Sequence, residues 1–196
     1  MCYNGYCQRE GEEKNVIMIN TIGIFGRLFD ASVYSNSLSY ERAFNNKLSW
    51  LIEVDQGKYF SATEALGYAI QKEIKYTGFG ITPEIRFYRE TKKTVSPKGV
   101  FMGIYFRYLF LREKYSEIAS QYTLKEISNE KGWAYGIGFN VGYKFGKQNF
   151  LFEPLIGYAF GPISDFSNDP RIDPYFKLGD SDLLFLRLAF KIGFRF

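Results

Sequence analysis

The final fourteen residues, LLFLRLAFKIGFRF from Leu183 to Phe196, constrain the fold more than any other stretch. Taken alternately, they separate into two sets. Leu184, Leu186, Leu188, Phe190, Ile192, Phe194 and Phe196 form one; Phe185, Arg187, Ala189, Lys191, Gly193 and Arg195 form the other. Successive side chains of a strand point to opposite faces. This is therefore a strand with one unbroken apolar side and one side dominated by small residues and long cations. In a soluble sheet the polar side usually faces bulk water. Glycine and alanine set between cations fit a tight, wet interior instead, and the uninterrupted apolar side fits lipid.

The rest of the chain is consistent with that reading. At 196 residues, one domain is the default. Mean hydropathy is slightly negative at −0.22, and no run approaches the roughly 18 apolar residues that a membrane-spanning helix needs. A transmembrane barrel escapes such scans because only every second residue has to be apolar. Aromatic residues make up 19%, nearly all Phe and Tyr, which suits a wall whose rings sit at headgroup level. The net charge of +4 is spread along the chain, so no nucleic-acid patch and no nucleic-acid partner is expected.

Runs with strand character recur between turn signals. They cover Val16–Arg27, Val33–Phe44, Leu48–Gly57, Gly78–Glu90, Val100–Glu113, Gly132–Phe145, Phe150–Gly161 and the final stretch to Phe196. The fold class is accordingly all-β, an eight-stranded antiparallel up-and-down transmembrane barrel over residues 16–196. Residues 1–15 form a polar, flexible N-terminal segment. An even strand number places both termini at one end. The connections there are Asn45-Asn46-Lys47, TKKTVSPKG and Gly146-Lys147-Gln148; at the other end, Lys58–Lys75, Lys114–Glu130 and Pro162–Asp182 are long, and only the first connection, near Asp30, is short. Short turns at one end and long loops at the other match periplasmic and extracellular sides of an outer-membrane barrel. Within the first long connection, Ser61-Ala62-Thr63-Glu64 has capping-box spacing, and Ala65, Leu66, Ala69 and Ile70 recur at helical intervals. A short helix and an extended strand end both fit. Pro83 and Pro154 fall mid-strand and each removes a ladder donor, so a bulge or local break is expected at each.

Strand parity points Trp133, Tyr135, Ile137, Phe139, Val141, Tyr143 and Phe145 outward, opposite Ala134, Gly136, Gly138, Asn140, Gly142 and Lys144. The same rule turns Glu41, Glu53, Glu84, Arg86, Arg107, Glu153, Arg187 and Lys191 into the lumen. Most lie at similar depth near the short-turn end, with Arg107 and Arg187 deeper. An isolated ion in such a space costs several kcal/mol, so these groups must be paired or hydrated. About eight strands enclose only enough room for side chains, so the expected result is a salt-bridged plug. The alternative is a narrow ion or small-solute channel.

Catalysis is not expected. The chain has no histidine, which removes the side chain best suited to general base work at neutral pH and rules out a Ser-His-Asp triad. The lumenal carboxylates sit where substrate could scarcely enter. Asp165, Asn168, Asp169, Asp173, Asp180 and Asp182 make an acidic loop without EF-hand spacing, so a solvated loop is expected rather than a calcium site. Cys2 and Cys7 lie in the polar N-terminal segment. They read as two incidental thiols or as a small disulfide loop in an oxidising envelope. A zinc site would need two further ligands, and no metal or cofactor is expected. The first fifteen residues lack the apolar core of a signal peptide, so the sequence is expected to be a mature or truncated form.

The segments SLSYERAFNNKLSWLIEV, ITPEIRFY, FEPLIGYAF and LAFKIGFRF resemble the small outer-membrane barrels of Bacteroidetes-type envelopes, which are similar in architecture to the OmpX and OmpA membrane domains. The resemblance covers roughly Val16–Phe196. It implies a barrel in the outer membrane, in contact with lipid and lipopolysaccharide. The final-strand pattern of Phe190, Ile192, Phe194 and Phe196 resembles the signal read by the outer-membrane assembly machinery. Both termini are expected to be periplasmic. The expected role is structural or interactive, including that of an accessory subunit in a larger outer-membrane complex.

Overall fold

The computed structural model describes residues 14–22, 34–65, 71–89, 98–118, 124–147, 149–161 and 186–196. Eight strands are present among them: β1 (Asn15–Asn20), β2 (Tyr34–Ala43), β3 (Leu48–Ala65), β4 (Gln71–Tyr88), β5 (Gly99–Ile118), β6 (Leu124–Lys144), β7 (Phe150–Phe160) and β8 (Leu186–Arg195). Each pairs antiparallel with its sequence neighbour, and β1 pairs with β8 to close the cylinder. The expected eight-stranded up-and-down barrel is the observed fold. Both ends of the barrel chain lie at one rim, where the Asn15 and Phe196 backbones exchange hydrogen bonds at 3.3 and 3.0 Å.

The turns at that rim are tight for local reasons. The Asn45 side-chain oxygen accepts the backbone N–H groups of Lys47 and Leu48 at 2.8 and 2.9 Å, an Asx turn that reverses the chain between β2 and β3. Gly99 opens β5 with φ of 100°, a conformation that L side chains rarely adopt.

Polarity is inverted relative to a soluble domain. Ile17, Ile19, Leu38, Ile85, Met102, Phe139, Phe160 and Phe194 are exposed, Phe139 by 56%. Glu41, Glu84, Arg86, Lys144, Glu153 and Lys191 are buried, Arg86 completely. The interior is not wholly polar. Val16, Met18, Leu51 and Leu151 form one buried cluster; Tyr88, Phe101, Leu155 and Ala189 form another. Glycines on the inner wall make room for this filling. A Cβ on Gly103 would run into Asn140 and Glu84, and one on Gly142 into the Phe101 ring.

The structure departs from sequence expectation in the connections. Lys58–Lys75 and Lys114–Glu130 are largely strand, because β3 and β4 continue to Ala65 and from Gln71, and β5 and β6 to Ile118 and from Leu124. Ser61–Ala65 is therefore strand, and the capping-box spacing is incidental there; residues 66–70 lie outside the described set. Beyond the apolar zone these strands carry no hydrophobic alternation, so backbone pairing alone marks them. Register shifts at Lys58/Phe60 and Tyr115/Ser116 accompany the extension.

The prolines give local breaks without a register shift. The β4–β5 ladder omits Thr82 and Pro83 and resumes at Glu84↔Tyr105. The β6–β7 ladder stops at Gly142↔Leu155, before Pro154, and returns as a bridge at Phe145↔Phe152. The described part of β1 ends at Asn20, and the expected continuation from Gly23 to Arg27 lies outside the described residues. The N-terminal segment with both cysteines up to residue 13 and the acidic loop, residues 162–185, lie there also.

The fold makes a direct prediction about the inner wall. A Cβ on Gly138 would press on the Tyr158 carbonyl and the Ala159 Cα, which are backbone, as well as on the Tyr105 ring. Gly138→Val should destabilise the barrel by about 1–3 kcal/mol, seen as a lowered urea midpoint. An unchanged midpoint would mean that the wall is not packed this closely.

Candidate functional site

Inside the barrel, six strands (β2, β3, β4, β6, β7 and β8) deliver charged groups to one connected cluster. Its centre is Arg86 on β4. The Arg86 Nη1 donates to Glu153 Oε2 at 2.8 Å and to Glu41 Oε2 at 3.1 Å, and Nε donates to Glu84 Oε1. Glu84 passes the chain of contacts on through Arg187, whose Nη1 lies 2.6 Å from Glu84 Oε2 and whose Nη2 lies 3.0 Å from Glu53 Oε2. Lys191 closes one end on Glu53. Lys144 closes the other on Glu41, with Glu153 at 3.4 Å. Four carboxylates (Glu41, Glu53, Glu84, Glu153) thus meet four cations (Arg86, Lys144, Arg187, Lys191), so the cluster is formally neutral.

Neutral groups complete its shell. Ser49 Oγ and the Tyr88 hydroxyl donate to Glu41 Oε1 at 2.6 and 2.7 Å. The Arg86 guanidinium sits 4.4 Å from the centroid of the Phe101 ring, and that of Arg187 5.0 Å from the Tyr105 ring. These faces offer cation–π contacts that replace lost hydration. Further toward the extended end, Arg107 Nη2 bonds Asp55 at 3.0 and 3.3 Å, and the Tyr76 hydroxyl donates to Glu113 at 3.2 Å.

Seven of the eight charged residues selected by parity therefore lie in one cluster. Arg107 stands in the next tier with Asp55. Arg187 reaches into the main cluster although its backbone position is deeper, because its side chain is long. Sequence reasoning passed over Lys144 in the cluster and Asp55 in the tier beside it. Both were legible by the same rule: Lys144 shares the inward set with Asn140, and Asp55 shares parity with Glu53. The aromatic pattern at the end of the chain faces outward. Ile192, Phe194 and Phe196 are exposed, Phe194 packs edge-on against Phe150 at 5.8 Å, and Phe190 is half-buried beside Phe152 at 6.4 Å.

A closed antiparallel wall, apolar outside and filled with paired ions inside, defines the class: a small β-barrel with the architecture of the outer-membrane barrels. Within that class the chain belongs to the family described as Protein of unknown function (DUF3575), whose profile matches residues 21–168. Among solved structures it is similar to the N-terminal β-barrel domain of Pseudomonas aeruginosa OprF, at 11% identity and a TM-score of 0.40, covering 95% of this chain and 99% of that one. It is also similar to Ail, the attachment invasion locus protein of Yersinia pestis, at 15% identity and a TM-score of 0.44, covering 94% and 99%. No curated protein matches the chain.

Arg86→Met leaves three buried carboxylates short of a partner. It should cost about 3–5 kcal/mol, as the breaking of a buried ion pair does. Urea unfolding of the refolded barrel measures this. A cost below about 1 kcal/mol would mean that water reaches these groups freely.

Proposed function

We propose that the chain is an integral outer-membrane barrel whose bore is plugged by its own side chains and whose role is structural or interactive. The observation that carries this reading is the inversion of polarity. Outward positions of β5 stay apolar or aromatic from Val100 to Phe110 and turn to Arg112 and Lys114 beyond. That is about 33 Å of strand at roughly 3.3 Å per residue. Tilted by about 40°, it spans about 25 Å, the height of the apolar band on a membrane barrel. At the other rim Arg42, Lys47, Arg89 and Lys147 bound the band, within reach of an interface.

The plug rests on the neutral cluster and the two apolar clusters beside it, which occupy a space the width of eight strands. Orientation rests on loop asymmetry: both termini and the short turns would be periplasmic, and the extended hairpins extracellular. Phe190, Ile192, Phe194 and Phe196 would serve as the signal for outer-membrane assembly. The aromatic wall would meet lipid and lipopolysaccharide, and could seat the barrel as an accessory subunit in a larger outer-membrane complex. A narrow channel is the second reading. It draws on the Asn140 amide and the Tyr105 hydroxyl, buried polar groups without a protein hydrogen-bond partner.

Planar-bilayer recordings separate the two readings. A plugged barrel gives no steady conductance, and Glu84→Ala lowers stability while opening little current. A large, selective change in conductance with Glu84→Ala would favour the channel. The membrane reading has its own test. Phe139→Arg should cost about 2–4 kcal/mol if that position meets the bilayer midplane, measured by unfolding from lipid vesicles; a neutral effect would sink the facing assignment.

A further inference from the structure

Hydrogen-bonded rows do not run level around this wall. Register partners followed once around lead from Asn15 through Ile85 on β4 and Phe139 on β6 to Leu186 on β8. Asn15 itself pairs with Phe196, ten residues nearer the short-turn rim. A row therefore climbs by ten residues per circuit. That requires strands tilted by about 40° and a rise of about 3 Å from each strand to the next. The row that holds Phe79, Phe110 and Trp133 at the top of the apolar band runs back through Gln56 on β3 to Asn36 on β2. The climb sets Asn36 about 9 Å below Phe110 and Gln56 about 6 Å below it. Both amides thus face outward at the height of Val54, Phe106 and Ile137, which are exposed and apolar.

Polar groups turned toward hydrocarbon are costly. The Asn36 Oδ1 is enclosed and accepts no hydrogen bond, and Gln56, its cross-strand partner, is exposed. Lower on β2 a polar tip is matched: the Tyr40 hydroxyl donates to Asn15 Oδ1 at 2.7 Å, and its ring packs edge-on against Trp50 at 5.5 Å. Asn36 also shortens the apolar face of its strand. Only Leu38 and Tyr40 separate it from Arg42 on the outward side. That is about 15 Å of height, well short of the band on β5. A span too short for the bilayer is accommodated by thinning, by reaching flanking groups or by association. Beneath the amides an exposed apolar column follows the β1–β8 seam, with Leu38 opposite Ile19, Ile19 opposite Ile192, and Ile17 opposite Phe194.

We propose that this wall is the contact between two copies of the chain, related by a twofold axis along the membrane normal; the inference rests on the membrane reading above and gives its interaction role a partner. A twofold contact presents the same patch from both sides. Copies inserted in the same sense hold each residue at one height, so amides meet amides and the column of the seam meets its counterpart. A carboxamide both donates and accepts. Identical amides therefore satisfy one another, whereas lipid tails offer neither donor nor acceptor. A half-turn about χ2 exchanges the two ends of Asn36 and presents its oxygen outward. Asn36, Gln56 and the column beneath are uncharged, so two copies approach without repulsion.

The test uses the whole chain in phosphatidylcholine vesicles, carrying Cys2→Ser and Cys7→Ser and one new cysteine at a time. Gln56→Cys should link two copies through a short bismaleimide. Phe139→Cys on β6, four strands from β2 and so across the barrel, should not. Dyes placed on Phe139→Cys report association by energy transfer as lipid dilutes the protein. Asn36→Leu with Gln56→Leu should weaken that association by about tenfold or more. The same double variant should unfold at an equal or higher urea concentration, because two polar groups leave the hydrocarbon. Monomers at every dilution, equal linking at positions 56 and 139, or undiminished association of the leucine variant each overturn the proposal. A chain that floats with the vesicles yet stays monomeric defeats this contact alone; one that does not float with them removes the membrane reading, and this inference with it.

Discussion

The seam between β1 and β8 is the constraint from which the other properties follow. It rests on five residue pairs, from Val16↔Arg195 to Asn20↔Lys191, yet it converts a curled sheet into a cylinder. Where all eight strands pair, the closed sheet has no free edge and satisfies its own backbone groups except where a proline interrupts a ladder; β3 beyond Lys58 and β6 before Ile137 extend past the described ladders with β2 and β7. Closure also divides the side chains of every strand into two populations that share no solvent. The period of two then does the sorting. Lys191 and Gly193 go inside while Ile192 and Phe194 go outside, with no further information needed.

That sorting creates an electrostatic problem and a steric one. Charges turned inward lose bulk water, and each would cost several kcal/mol alone. The cluster meets this by balance: four carboxylates and four cations, with Ser49 and Tyr88 adding donors to Glu41. The bore is also too narrow for large residues on every inner position. Glycines at 103, 138 and 142 leave the volume that Glu84, Asn140, Tyr105 and Phe101 fill. Charge pairing and glycine placement are therefore one device seen from two sides. Neither works without the other.

The alternation that made the barrel legible in the sequence also limited what could be read. Where one face is apolar, parity fixes which way each residue points, and the inward placement of Glu41, Glu84 and Lys191 follows from counting. It could not say which partners meet. Arg187 lies deeper by backbone position yet joins Glu53 and Glu84, because a long side chain reaches along the bore. Above the band the sequence of β3–β6 no longer alternates strictly between apolar and polar residues, the periodic signal disappears, and strands look like loops. Ser61–Glu64 resembled a helix start for that reason. Its strand conformation is set by long-range pairing with Lys72–Lys75, which no local pattern announces.

The choice of cation inside the cluster follows its geometry. Arg86 contacts three carboxylates from three strands and Arg187 two, whereas Lys191 caps a single one at the cluster's edge. A guanidinium presents several donors in a fixed plane, so it can bridge groups that lie in different directions. An ammonium is a point charge and suits an end. The aromatic faces of Phe101 and Tyr105 then cover the guanidinium planes, which an ammonium would fit less well. Since β4 supplies Arg86 and β8 supplies Arg187, with Glu84 between them, these bridges tie opposite parts of the wall across the bore. The cluster thereby acts on the shape of the barrel as well as on its charge.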